Sequence, residues 1–469
     1  MASRKKTYLT PLPRQRSTIH LVAGVILLGA FAGCARSGGS VQDKYPKLSP
    51  TAESPPTSAS TQLLPLPTPT IASTLEETIP PPSYDPSETL GAFIIPLTIQ
   101  HLSETSADLY FILESPAEGA VYYSRHGDQS NQTQWITFSA ATDTHLIKVS
   151  DLEPGAEYEA WIGVTDDDGV HHPPSFAEST WDPIEIRLPQ ENDWPIRIGV
   201  IGDSGFGEAV TFQLAEEMAS HQPEFVIHTG DLVYNVYQDP SPAQAFIRKF
   251  YQPMADLLHA VPIYPVFGNH EGYEDTYWRE RPFYYSAFPP LENGTSGEDF
   301  DGVSGQREWY AFARSGFQFI FLNSQQFYDL ELREEQNAWL QDKLGESTSL
   351  TNIVVFHIPP LTSGYHRDDG IQIRQAWVPL FEEANVALAL AGHDHNYERL
   401  ELNGITYIVS GGGSTILYGK EDTREESEFF TAQSHFVILN LYPDRIDMSA
   451  YGLGGETLDS YIIPLYSSD

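Results

Sequence analysis

Five short apolar runs of strand type constrain this chain most, because each of them ends in polar side chains that suit metal ions. The runs are IRIGVIG, FVIHT, VPIYPVF, NIVVF and VALALAG, all between residues 196 and 392. The polar residues that follow them are, in chain order, Asp203, Asp231, Tyr234, Asn269, His270, His357, His393 and His395. Ligands in open α/β folds gather at the carboxyl ends of strands, so we expect these side chains to meet at one sheet edge.

Each polar cluster also has a purely structural explanation when it is taken alone. A Gly-Asp pair after a strand is commonly a turn, and a histidine after a strand is usually a satisfied core residue. Asp231 is nevertheless a candidate for a carboxylate shared by two ions. Tyr234, three residues further on, could reach one of those ions, whose charge would remove the phenolic proton. Five such clusters of Asp, Asn and His favour a metal site over five unrelated turns.

Helical periodicity between the apolar runs predicts that residues 194–467 form one α/β domain. One helix is expected over residues 208–221, and another begins at Ser241, which can cap it ahead of a proline at the first turn. A third is expected over residues 332–344, closed by Gly345.

The amino terminus has the form of an export signal. Residues 1–33 carry five basic side chains and then an apolar run that is too short for an ordinary membrane span. The only cysteine, Cys34, follows Phe31-Ala32-Gly33, which resembles a bacterial lipobox and implies cleavage before Cys34 and lipidation of its sulfur. We expect an exported protein, anchored by lipid at the membrane surface of the cell envelope. A secreted protein cut nearby, or an uncleaved anchor, is the alternative.

Two further regions separate this signal from the α/β domain. Residues 34–88 are rich in Pro, Ser and Thr, which predicts an extended linker. Residues 89–188 show short alternating strands, which predict a small all-β sandwich. Within it, residues 151–158 resemble the corner of fibronectin type III domains, where a tyrosine, here Tyr158, bonds to nearby backbone. We expect the sandwich to act as a spacer or as a wall beside the active site.

The charge balance limits the partners of this chain. It has 26 Lys and Arg against 64 Asp and Glu, a formal net charge of −38. Nucleic-acid binding is therefore not expected, and any membrane contact should run through the lipid anchor only. An anionic substrate would need bound cations to invert the local field. The sequence does not indicate an oligomeric state.

The polar clusters, taken as a set, resemble the five motif blocks of the calcineurin-like metallophosphoesterases. Tyr234, the glycine at position 205 and the sequence Tyr397-Glu398-Arg399 are most similar to the purple acid phosphatases. The resemblance implies a layered α-β-β-α domain behind the fibronectin-like sandwich. The blocks are GDSG at 202–205, GDLVY at 230–234, GNHE at 268–271, VVFH at 354–357 and GHDH at 392–395.

The resemblance also implies a dinuclear metal site with Asp231 as the bridging ligand. The first ion would be Fe3+, and the second would be Zn2+, Mn2+ or Fe2+. Two carboxylates and one phenolate against such a pair leave a cationic site. The implied ligands of the first ion are Asp203, Tyr234 and His395, and those of the second ion are Asn269, His357 and His393.

The activity implied by the resemblance is that of an acid phosphatase, which hydrolyses small phosphate monoesters by attack of a metal-activated hydroxide. His270 would orient the ester and protonate the leaving group, and His366 would contact the substrate. Arg367 stands where the family often has histidine, and it would either bind phosphate or be a solvated loop residue. Two alternatives remain: a phosphodiesterase or nucleotidase with a divalent pair, and a surface-displayed binding protein with a degenerate phosphatase domain.

Overall fold

A computed structural model describes residues 93–127, 133–165, 171–172, 183–272, 281–288, 304–305, 308–325, 330–346, 350–384 and 386–465. The export signal, Cys34 and the linker lie outside the described residues and stay predictions. Among the helices that are described, none combines the length and apolar character needed to cross a bilayer.

The described residues between 93 and 187 form two facing antiparallel sheets that enclose a core of alternating inward side chains. One sheet has the strand order β1-β2-β5, and the other has the order β4-β3-β6-β7 with β8 also paired to β6. The Oη of Tyr158 accepts a hydrogen bond from the N–H of Glu153 at 3.1 Å, as the tyrosine corner predicts. The strands are β1 Phe93–Leu102, β2 Ala107–Leu113, β3 Gly119–Arg125, β4 Gln134–Phe138, β5 Thr144–Val149, β6 Glu157–Thr165, β7 His171–His172 and β8 Ile184–Arg187.

Two large mixed sheets form the body of the second domain. The six-stranded sheet has the order β11-β10-β9-β20-β21-β22, and the eight-stranded sheet has the order β12-β13-β14-β15-β16-β18-β17-β19. The strands are β9 Ile196–Ile201, β10 Phe225–His228, β11 Ile263–Pro265, β12 Ser304–Gly305, β13 Tyr310–Arg314, β14 Phe317–Phe321, β15 Thr351–Val355, β16 Leu388–Ala391, β17 Tyr397–Leu402, β18 Ile405–Ser410, β19 Ser427–Thr431, β20 His435–Tyr442, β21 Arg445–Gly452 and β22 Thr457–Pro464.

The two sheets pack face to face, and helices cover their outer faces. Apolar side chains of both sheets share one buried cluster, to which Val200 and Leu390 belong. Further clusters lie between the six-stranded sheet and α1–α3, and between the eight-stranded sheet and α6–α7. This confirms the predicted layered α-β-β-α arrangement. The helices are α1 Ala209–Ser220, α2 Pro242–Phe246, α3 Ala255–Leu258, α4 Asn269–Gly272, α5 Arg281–Ala287, α6 Leu330–Glu346 and α7 Ile371–Glu383.

Three details differ from the sequence-based expectations. The polar clusters do not follow strands of one sheet: β9, β10 and β11 belong to the six-stranded sheet, and β15 and β16 to the eight-stranded one. The helix that Ser241 caps is interrupted by a π-helical turn at Ile247–Tyr251. Gly345 does not close its helix, because α6 continues to Glu346.

The sandwich packs directly on the second domain. Ile95, Tyr110 and Ile112 of β1 and β2 belong to the same buried cluster as Phe246 and Met254. The N–H of Glu185 also donates to the carbonyl of His259 at 2.8 Å. Apolar burial and main-chain hydrogen bonding therefore both fix this contact.

Candidate metal centre

Tight turns after the strands carry the ligand candidates into one region at the ends of strands from both sheets. Asp203, Asp231 and His393 all have left-handed backbone, with φ of 57°, 55° and 66°. Non-glycine residues hold this conformation only where their surroundings over-determine it. Gly230 also allows a close approach, since a Cβ there would lie 2.5 Å from Nδ1 of His357.

The first group consists of Asp203, Tyr234 and His395. The Oη of Tyr234 lies 3.1 Å from Oδ1 of Asp203 and 3.0 Å from Nε2 of His395. Nε2 of His395 is 3.5 Å from the same carboxylate oxygen. Ligand atoms that each sit about 2.1 Å from one ion are separated by about 3 to 3.5 Å, so this spacing fits a shared ion.

The second group consists of Asn269, His357 and His393. The Oδ1 of Asn269 lies 2.8 Å from Nε2 of His357 and 2.9 Å from Nδ1 of His393. Asp231 adjoins this group, since its Oδ1 lies 3.4 Å from Nε2 of His357. The same carboxylate also acts electrostatically on Tyr234 of the first group. Asp231 therefore stands where a ligand common to both groups would be.

Hydrogen bonds on the far side of each ring orient the three histidines. His357 Nδ1 lies 2.8 Å from the carbonyl of Thr229, and His395 Nδ1 lies 2.8 Å from the carbonyl of Ile416. His393 Nε2 lies 3.0 Å from Oδ2 of Asp369. These oxygens only accept, so the nitrogen beside each must donate, which leaves the lone pair of the other nitrogen facing the site.

The lone pairs create a need for cations. A neutral His357 and the Asn269 amide oxygen would turn two acceptors toward each other at 2.8 Å. Burial disfavours charge on His357, but the carboxylates of Asp231 and Asp203 and the carbonyl of Thr229 together outweigh burial and raise the pKa of the imidazole to about 9. A proton can therefore supply the missing positive charge there, and a metal ion would replace it.

The pKa shifts of the other ligand candidates are also those expected of groups that bind metal ions. Burial raises the pKa of Asp203 and of Tyr234, and for Tyr234 the Asp203 carboxylate adds to the effect. Burial lowers the pKa of His393 to about 3 and that of His395 to about 4, which keeps both rings neutral. The anionic ligands thus need a bound cation to ionise fully, and the neutral rings are ready to bind one. The residues present fit a pair of metal ions.

The predicted substrate residues lie around this centre. The ring of His270 packs against Tyr234 at 4.3 Å between centroids, and its side chain is 19% exposed. The ring of His366 lies 4.2 Å from that of His393. Arg367 turns to the surface instead, where its Nη1 pairs with Oε2 of Glu421 at 2.9 Å. The structure therefore brings the two histidines to the site, but it gives Arg367 an acidic partner of its own.

Three carboxylates that were not predicted from the sequence also organise the site. Asp369 contacts His366 and His393, and Asp394 accepts the N–H groups of Tyr365 and His366. Glu271 accepts three main-chain N–H groups, of Asp231, Val233 and Gly268. Glu271 lies inside the motif block GNHE and Asp394 inside GHDH, so their positions in the sequence could have indicated a role at the site. For Asp369, the only indication in the sequence was its position three residues after His366.

The fold and the paired ligand groups of the second domain are similar to those of a dinuclear metallophosphoesterase domain. Residues 196–397 match the family Calcineurin-like phosphoesterase.

Several relatives of this chain are named purple acid phosphatases. "Purple acid phosphatase 23" of Arabidopsis thaliana is 27% identical over 58% of this chain and 62% of its own length. "Purple acid phosphatase 5" of the same plant is 30% identical over 48% of this chain and 50% of its own length. The chain thus spans between 50% and 62% of the length of these two relatives. "Tartrate-resistant acid phosphatase type 5" of Homo sapiens is 24% identical over 49% of this chain and 76% of its own length.

A solved structure supports the fold on its own. The purple acid phosphatase from yellow lupin seeds superposes with a TM-score of 0.61 at 16% identity, over 80% of this chain and 74% of that one. At this identity, the likeness concerns the fold alone.

Proposed function

We propose that this chain is an exported, lipid-anchored acid phosphatase that hydrolyses phosphate monoesters at a centre of Fe3+ and a divalent ion, Zn2+, Mn2+ or Fe2+. The observation that carries the proposal is the phenol of Tyr234, 3.1 Å from Asp203 and 3.0 Å from His395. A phenolate is a hard anionic donor that suits ferric iron. A centre made only of divalent ions has no need of it.

When bound, the ions supply a hydroxide nucleophile and positive charge for the phosphoryl oxygens. The protein holds their ligands and supplies a proton donor. The main-chain N–H of His270 donates to Oδ1 of Asp231 at 2.9 Å, and its ring Nε2 lies 3.9 Å from Oδ2 of the same carboxylate. His270 is therefore fixed beside the bridging position and partly open to solvent. From there it can protonate the alkoxide that leaves.

His366 is placed to hold the ester. The carboxylate of Asp369 accepts a hydrogen bond from Nδ1 of His366 at 2.8 Å. Nε2 of His366 is therefore the ring nitrogen that can face a bound ester. Its side chain is 24% exposed, so a phosphate oxygen from solvent can reach it. The cationic centre and these two histidines together would draw an anionic substrate despite the net charge of −38.

The export and anchoring part of the proposal has separate support. It depends on residues 1–33 and on Cys34, whose sequence pattern is that of a bacterial lipoprotein signal. Labelling cells with a radioactive fatty acid tests it: Cys34 should carry the label, and Cys34→Ser should lose it. Equal labelling of both chains would overturn the anchor.

Relative rates on a monoester, a diester and a nucleotide test the activity. With protein expressed without residues 1–34, we expect kcat/KM for the monoester to exceed that for the diester by roughly tenfold or more. The matched variant Asp231→Asn should lose activity on all three substrates, which excludes a contaminant. A higher rate on the diester or the nucleotide would replace the proposal with the phosphodiesterase or nucleotidase alternative.

A further inference from the structure

The loop of residues 231–235 carries Tyr234 in a backbone conformation that must be held from outside. Asp231 and Asn235, on either side of the tyrosine, have φ of 55° and 50°. Asp and Asn adopt this conformation more readily than other non-glycine residues, and contacts with neighbouring groups help to hold it. Glu271 secures the first half of the loop, because its carboxylate accepts hydrogen bonds from the main-chain N–H groups of Asp231 and Val233 at 3.0 and 3.1 Å.

A buried lysine secures the second half. Nζ of Lys249 donates to the carbonyl of Tyr234 at 2.6 Å and to that of Asn235 at 3.3 Å. The same ammonium lies 2.7 Å from Oδ2 of Asp239, and the two side chains are 5% and 6% exposed. A buried ammonium is costly unless it is paired, so Asp239 allows Lys249 to remain charged beneath the loop.

The π-helical turn Ile247–Tyr251 presents this lysine. It interrupts the helix that Ser241 begins, and three consecutive residues within it, Lys249, Phe250 and Tyr251, are buried. π-Helical turns are rare, and they occur frequently at functional sites. The turn here places an ammonium under two consecutive carbonyl groups of the loop that bears a ligand candidate.

We propose that Lys249 is a positioning residue for Tyr234, holding the loop so that the phenol oxygen stays with Asp203 and His395. The inference rests on the proposed function, because it takes Tyr234 to be a ligand of the first ion. The ring itself stacks on Phe206, with 3.9 Å between centroids and 8° between planes. Phe206 therefore fixes the plane of the ring, and Lys249 fixes the backbone from which the ring extends.

The test uses the full-length chain purified with its metals, and it measures iron content, iron affinity and the visible absorption of iron-bound tyrosinate. Lys249→Met should bind the first ion roughly 10- to 100-fold more weakly, as loss of a group supporting a ligand commonly does. Its visible band should weaken or shift at equal iron content. Lys249→Arg, which keeps the charge and the donors, should restore the band at least in part.

Arg248→Gln is the matched control. Arg248 pairs with the other oxygen of Asp239 at 2.6 Å, so its loss disturbs the same carboxylate. It should leave both the band and the iron affinity unchanged. If Lys249→Met does not fold, Asp239→Asn is measured in its place, with a smaller change in the same direction expected.

The outcomes separate this inference from the proposed function. A folded Lys249→Met or Asp239→Asn protein with the band and iron affinity of the unmodified chain would overturn the positioning role of Lys249. An unmodified chain that binds iron without such a band, or whose band survives Tyr234→Phe, would overturn the assignment of Tyr234 and hence the proposed function itself.

Discussion

At Asp369, a single carboxylate oxygen orients two histidines of the site. Oδ2 lies 2.8 Å from Nδ1 of His366 and 3.0 Å from Nε2 of His393. These two hydrogen bonds, that of His366 first, hold the pKa of Asp369 well below its usual range. A carboxyl group with a lowered pKa stays ionised above that pKa and loses its effect only as the pH falls through it. Asp369 can therefore orient both rings under the acid conditions that the proposed activity requires.

Replacing this carboxylate should impair turnover. In Asp369→Asn, we expect kcat to fall roughly 10- to 100-fold, because neither ring keeps its charged partner. The neighbouring Asp368 is exposed, so Asp368→Asn is the matched control and should leave kcat within about twofold. Steady-state kinetics of the three proteins between about pH 4 and pH 7 would measure this. Equal kcat values for Asp369→Asn and the unmodified chain would contradict the role of Asp369.

Single residues show what the sequence can predict about the site. Asp203 and His357 directly follow an apolar run, and Asn269 follows one after a single glycine, so all three could be identified from the sequence. The structure places Asp203 and Asn269 each close to His357. Asp369 and Lys249 could not be identified in this way, because each meets the site only through the path of its segment in space. Arg367 follows His366 in the chain, yet its side chain turns to Glu421. Adjacency in sequence is no guide to where a loop side chain points.

Periodicity identifies strands more readily than it assigns them to sheets. The runs that became β9 and β16 have the same apolar character, yet they belong to different sheets. Buried strands of this kind show no polar face that would distinguish their neighbours. The clusters therefore converge across two adjacent sheets and not along one edge. The π-helical turn was also invisible, because Phe246, Phe250 and Met254 keep a helical spacing through it.

The tyrosine corner gives a prediction for the sandwich. Tyr158→Phe removes the hydroxyl that accepts from the N–H of Glu153 at 3.1 Å, while the buried ring keeps its packing. The free energy of unfolding should fall by about 0.5–1.5 kcal/mol, the usual contribution of such a bond. Urea denaturation followed by circular dichroism would measure it. An unchanged midpoint would show that the corner does not stabilise β6.

The two domains meet through polar as well as apolar contacts. Nδ1 of His101 in β1 lies 3.1 Å from Oη of Tyr264 in β11. Arg314 of the second domain, 7% exposed, pairs with Glu104 of the sandwich at 3.7 Å. The second domain and the sandwich therefore share contacts of both kinds, and the sandwich is more than a tethered spacer.

His101 should make this contact sensitive to acid. Burial, and then the charge of Lys148, lower the pKa of His101 from 6.5 to about 3. Between these values, the unfolded chain binds a proton that the folded protein does not. The stability that the neutral ring contributes is therefore complete above about pH 6.5. It decreases as the pH is lowered below that value, by at most about 1.4 kcal/mol per pH unit.

The variant His101→Gln should reduce this acid dependence. Glutamine can still bond to Tyr264 but does not titrate, so the unfolding free energy should fall less steeply from about pH 6.5 to pH 4. His126 is an exposed histidine of the same sandwich, and His126→Gln is the control that should keep the original slope. Urea denaturation at several pH values gives the slopes. Identical slopes for His101→Gln and the unmodified chain would refute the assignment.

The whole molecule combines a strongly acidic surface with a site that needs cations, and metal content tests that combination most directly. We would measure the elemental composition and visible spectrum of protein expressed without residues 1–34, beside Asp231→Asn. The account predicts about two ions per chain, one of them iron with a visible band, and loss of both ions in the variant. A chain that holds no pair of ions, or holds it independently of Asp231, would contradict the account and favour a binding protein with a degenerate phosphatase domain.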